Sequence, residues 1–140
     1  MSTRATYSFE LKYNVGEWIH YYIHWDGYPA GAACYFNKMV CLLEEEQGAD
    51  GRMSKKKKNG LNRVDINAGY AELFFVANSS QIEIIADSTQ ISDIEYKYEL
   101  KANGHLTVTD IINRKIEEYS QCTDFIKKFI PAQTTSVEIE

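Results

Sequence analysis

A chain of 140 residues, 44% of them hydrophobic, can close one core and is short for two, so it reads as a single domain spanning 1–140. Its formal net charge of -5 excludes a surface that grips nucleic acid or anionic lipid over most of its area, leaving only a local patch for such contacts. The opening residues carry no apolar h-region, and no run approaches the roughly 20 apolar residues of a membrane-spanning helix. A cytoplasmic protein with no membrane partner is the expectation.

In chain order, Ala5 to Tyr13 alternates strictly, with Tyr7, Phe9, Leu11 and Tyr13 on one face and Ser8, Glu10 and Lys12 on the other, the pattern of a half-buried strand. Asn14-Val15-Gly16 supplies turn chemistry, and a β-rich run from Glu17 to Trp25 completes a hairpin. Both faces of that second strand are bulky: Ile19, Tyr21, Ile23 and Trp25 against Trp18, His20, Tyr22 and His24. It therefore reads as a central strand or one covered on both sides.

Asp26-Gly27-Tyr28-Pro29 breaks the strand, and Pro29 suits the first position of a helix, where its missing N–H has no partner to lose. The helix is predicted from Pro29 to Gln47, with Ala32, Tyr35, Phe36, Met39, Val40 and Leu43 as its buried stripe and Glu44 to Glu46 solvated. Residues 49–60, with Lys55-Lys56-Lys57-Lys58, read as a flexible basic loop. A second helix follows, capped by Asp65, with Ile66, Tyr70, Leu73, Phe74 and Ala77 on one face; Gly69 weakens it, and a strand at Leu73 to Val76 is the alternative.

Three further strands are predicted at Gln81–Asp87, Asp93–Ala102 and His105 to about Lys115, the last two joined by a two-residue turn at Asn103-Gly104. Ser120 can cap a last helix whose stripe is Cys122, Phe125, Ile126, Phe129 and Ile130, stopped by Pro131, and 132–140 reads as a polar tail. The fold class is α+β: a mostly antiparallel sheet of about five strands with two to three helices packed on one face.

Cys34, Cys41 and Cys122 lie in apolar stretches without metal-ligand spacing and read as buried free thiols of a reducing compartment. The densest group of functional residue types is His20, His24, Asp26 and Tyr28. Alternate strand residues rise about 6.6 Å per pair, so His24 and Asp26 converge only if the turn bends, and His20 lies roughly 13 Å from His24, too far to share one metal with it. The structural role is a turn-forming Asp26 capping backbone N–H groups and a hydrogen-bonded His24. No Gly-rich phosphate cradle and no local nucleophile signature occurs, and neither a catalytic residue, a metal nor a cofactor is nominated. Lys55 to Lys58 could seat phosphates, yet the loop lacks the interleaved aromatics of single-strand platforms. Among the ten tyrosines, rows such as Trp18, His20, Tyr22 suit an interface as well as a core or a homodimer.

Met1-Ser2-Thr3-Arg4-Ala5-Thr6 and Ile23-His24-Trp25-Asp26-Gly27-Tyr28-Pro29 resemble a group of small proteins encoded by phages and bacterial mobile elements, which share an N-terminal S-T-R and a strand ending in H-W-D-G-Y. The resemblance covers roughly the first 30 residues and implies a mobile-element context without an activity. Three expectations follow. The leading one is a non-catalytic protein that binds and inhibits a host protein through partner-binding residues such as Trp18, His20, Tyr22, His24, Asp26 and Tyr28. The second is a small enzyme or ligand-binding domain at the His24–Asp26 turn. The third is nucleic-acid contact through Lys55–Lys58.

Overall fold

The computed structural model describes residues 3–11, 16–47, 69–87 and 93–130. The predicted Tyr13, lysine loop, Asp65, Ile66, Pro131 and C-terminal tail, and the side chains of Glu44 to Glu46, lie outside the described residues. Six strands form one sheet: β1 (Ala5–Glu10), β2 (Trp18–Ile23), β3 (Ile82–Ile85), β4 (Tyr96–Leu100), β5 (Leu106–Asp110) and β6 (Lys115–Tyr119). The helices are α1 (Pro29–Gln47), α2 (Tyr70–Asn78) and α3 (Cys122–Phe129). The strand order is β3-β2-β1-β4-β5-β6, and every ladder is antiparallel except the central β1–β4 pair. The fold is thus the expected α+β class, with a mixed sheet and one strand more than the sequence pattern suggests.

All three helices pack on one face. Tyr7, Phe9, Tyr21, Tyr98 and Leu100 point into that core from the central strands, where Phe36 of α1, Phe74 of α2 and Phe125 of α3 meet them. Tyr7 and Tyr98 stack with centroids 5.0 Å apart, and Phe74 lies 4.8 Å from Phe9 and 5.3 Å from Phe36. Such pairs contribute about 0.5–1.5 kcal/mol each beyond the area they bury, so this ring cluster fixes the angle of the helical layer.

α1 has the expected span and stripe, with Ala32, Tyr35, Phe36 and Met39 buried. Elsewhere the ends differ from the sequence reading. α2 begins one residue after Gly69, which sits at φ 73 as the N-cap; a positive φ suits glycine, so this residue marks the helix start instead of weakening its interior. The β4–β5 connection is a three-residue loop: Gly104 N–H donates to Lys101 O and Lys101 N–H to His105 O, with Gly104 at φ 97. That is a tight turn followed by a left-handed glycine, the three-residue hairpin solution. α3 starts after Gln121, with no side-chain cap; the Ser120 hydroxyl instead donates to the Asp124 carboxylate at 3.3 Å.

The sixth strand lies beyond the predicted His105–Lys115 run, which holds only β5 and the turn after it; β6 begins where that run ends. Residues 111–114 turn the chain with Arg114 at φ 57, and the Asp110 carboxylate accepts from Asn113 N–H at 3.1 Å and from its side-chain amide at 2.9 Å. These hydrogen bonds, that of the side-chain amide first, lower the Asp110 pKa. Lys115, Glu117 and Glu118 then put charges along the sheet edge, where they oppose edge-to-edge pairing. The cysteine expectation needs correction: Cys122 is buried, but Cys34 and Cys41 are exposed on the outer side of α1. Burial pushes the Cys122 thiol up to about 12.

Candidate functional site

Because side chains alternate along a strand, the register that sends Tyr7 and Tyr98 into the core sends Thr6, Ser8 and Glu10 to the opposite face of β1. Their cross-strand neighbours are Tyr22, His20 and Trp18 on β2, and Lys97 and Glu99 on β4. No described helix covers this face. Thr6 and Ser8 are nevertheless 0% and 2% exposed, since the long side chains flanking them on both sides close over the short ones. β2 lies between β1 and β3, so the expectation of an interior strand holds, with helices on one of its faces only.

Along this face the β2 residues are held by hydroxyls. The Ser8 Oγ and His20 Nδ1 lie 2.7 Å apart, and the Tyr22 Oη and His24 Nδ1 are 2.9 Å apart. Burial lowers the His20 pKa, while Asp87 and Glu99 act to raise it. Burial likewise raises the Tyr22 phenol. Past the strand end, the Trp25 ring meets the His24 ring at 4.6 Å in an edge arrangement and is 53% exposed. The result is an aromatic row along β2, its imidazoles fixed in orientation before any partner arrives.

The Ser8–His20 pair resembles a nucleophile and base only superficially. Ser8 sits in the middle of a strand paired on both sides, so the backbone N–H groups around it are committed to ladders and none converges to hold an oxyanion. Among the described residues, no group of three or more His, Cys, Asp or Glu side chains could hold a metal ion.

Asp26 and Tyr28 go elsewhere. Asp26 adopts φ 56, a left-handed conformation that Asp tolerates, and turns the chain from β2 into α1. The turn is packed against backbone on two sides. A side chain at Gly27 would come within 2.7 Å of Ala5 Cβ and Thr3 O, and one at Gly31 would overlap the Asp26 carbonyl. The Gly27 N–H donates to Thr3 O at 2.8 Å, and its carbonyl accepts from the buried Tyr98 hydroxyl at 2.6 Å. Beyond the turn, Asp26 and Tyr28 line an open cleft of about 420 Å3 together with Ala30, Gly31, Cys34, Tyr35, Lys38 and Gln81. His24 is not among the described residues lining it. The sequence-nominated group therefore divides: Trp18, His20, Tyr22 and His24 line the face that no described helix covers, while Asp26 and Tyr28 line the cleft.

Ser8, Thr6, Cys34, Tyr35 and Lys38 were not nominated from sequence. Ser8 reads as a solvent-side residue until the strand order places long neighbours beside it. Ala30, Cys34 and Lys38 do share a spacing of four, the one signal of a common helix face away from the buried stripe. No protein-family model, no curated protein and no solved structure matches the chain. No described helix is long and apolar enough to cross a membrane.

Proposed function

We propose that the protein is a non-catalytic binding module that docks the sheet face that no described helix covers onto a basic surface of a partner protein. In the mobile-element setting that its N-terminal motifs suggest, the partner is a host protein and docking inhibits it. The observation that carries this reading is the β2 row, Trp18, His20 and Tyr22, on a six-stranded face that no described helix covers. Trp and Tyr are the residue types that anchor interfaces, and a ring already held by a hydroxyl has less freedom to lose on binding.

Charge selects the partner. Glu10, Glu83, Glu99 and Glu118 share this face with Lys97, with Arg4, which pairs with Asp93, and with His105, which lies against Glu118; carboxylates remain in surplus, and the whole chain carries a net -5. An acidic surplus speeds encounter with a basic surface, disfavours nucleic acid, and opposes pairing of the face with a second copy of itself. A basic nucleic-acid-binding site on a host factor has the matching chemistry.

The test is a pull-down from host lysate with graded bait, comparing wild type with a Trp18→Ala, Glu99→Lys double variant. The reading expects a partner whose capture saturates, weakens with salt and is lost in the double variant. Absence of any saturable partner sinks it.

A further inference from the structure

The cleft beside the β2–α1 turn has a chemistry of its own, separate from the sheet face. Its described lining joins the α1 residues Ala30, Gly31 and Cys34, whose side chains are small, to Asp26 and Tyr28 at the turn. Its volume of about 420 Å3 lies within the range of small-molecule sites. Its two charged lining residues, Asp26 and Lys38, are opposite in sign and are carried by well-separated backbone positions. Gly31 packs against the Asp26 backbone, and Lys38 follows seven residues later on the same helix, a rise of roughly 10 Å. Asp26 and Lys38 do not pair with each other in any described ion pair.

The hydrogen-bond capacity is also polarised. The Tyr35 hydroxyl spends its one proton on the Trp25 carbonyl at 3.0 Å, so toward the cleft it offers lone pairs only. Burial pushes this phenol up to about 12, so it stays in that donor state at neutral pH. At the turn end the cleft thus presents acceptors, the Asp26 carboxylate and Tyr35 Oη, beside the Tyr28 ring, whose face attracts a cation. Lys38, a donor, is carried further along α1.

We propose that this cleft binds a short zwitterion, its ammonium group against Asp26, Tyr35 Oη and the Tyr28 ring, and its acid group against Lys38. The required separation of the two charges selects an ω-amino acid or a short peptide over an α-amino acid, whose charged groups are too close together to reach both. Gln81 also lines the cleft, and the exposed Cys34 thiol beside it serves as a built-in reporter.

Calorimetric titration of the full chain with 6-aminohexanoate and, separately, with trialanine tests this. Saturable binding of either supports the proposal and tells the two sources apart. Hexylamine and hexanoate should each bind at least about tenfold more weakly than the better zwitterion, since each forgoes one charge-assisted contact. Asp26→Asn and Lys38→Met should each weaken binding by about tenfold or more without moving the melting temperature, because both side chains are exposed and Asn also tolerates a positive φ. Bound ligand should slow alkylation of Cys34 by iodoacetamide. No saturable binding of either zwitterion, equal binding of hexylamine, or unchanged Cys34 alkylation at saturation overturns it.

Discussion

Tyr7 and Tyr98 form a natural comparison. They lie side by side on the two parallel central strands, stack with centroids 5.0 Å apart, and are both completely buried. Their hydroxyls differ. That of Tyr98 donates to the Gly27 carbonyl at 2.6 Å, while that of Tyr7 has no hydrogen-bond partner among the described residues. Replacing either with Phe keeps the ring stack. Tyr98→Phe strands a buried carbonyl and should cost about 2 kcal/mol, whereas Tyr7→Phe removes an uncompensated polar group and should be neutral or stabilise by about 1 kcal/mol. The difference of about 2–3 kcal/mol between the variants corresponds to roughly 6–10 °C in melting temperature for a domain of this size. Thermal and urea melts of the two single variants measure it. Equal destabilisation by both, or a loss above about 1 kcal/mol in Tyr7→Phe, would refute the reasoning.

Two further outcomes follow from the same burial. Tyr7, Tyr21 and Tyr98 all have pKa values raised by desolvation, Tyr21 to about 12, against about 10 in the unfolded chain. Above pH 10 the unfolded state sheds these protons while the folded state keeps them, so stability is fully present below about pH 10 and falls as pH rises. These three groups alone contribute a slope of roughly 4 kcal/mol per pH unit, to which the raised Tyr35 and Cys122 add, and a urea midpoint that stays flat from about pH 9 to about pH 11 contradicts it. For the thiols, a chromogenic disulfide reagent should titrate Cys34 and Cys41 in the native protein and Cys122 only after denaturant is added. Rapid native reaction of all three would show that the α3 end opens readily.

What could be read from the sequence divides along physical lines. Local periodicity predicts α1 closely, because Pro29 starts it and its stripe repeats for about three turns; it also predicts the inward faces of β1 and β4, while β2, bulky on both sides, gives no such signal. Strand order is non-local, so nothing in the pattern announces that β1 pairs in parallel with β4 or that Ser8 is shaded between His20 and Glu99. β6 escaped because Lys-Ile-Glu-Glu-Tyr has one apolar residue facing each way, and an edge strand needs no more. Cys34 and Cys41 read as buried because their neighbours along the helix are apolar, which does not specify the side a residue occupies; by their angle both fall outside the buried stripe. For the site, the density of His, Asp and Tyr at 20–28 singles out this stretch of chain. It could not reveal that the turn sends Asp26 and Tyr28 into a cleft and leaves the histidines on the sheet.

The proposed binding surface is the sheet face that no described helix covers. Its most direct test sets two variants against wild type in the same quantitative pull-down. Trp18→Ala with Glu99→Lys alters that face; Asp26→Asn with Lys38→Met alters the cleft and leaves the face intact. The account predicts loss of the saturable partner in the first and wild-type capture in the second. Capture unchanged by the first pair and abolished by the second would place the partner on the cleft and contradict it.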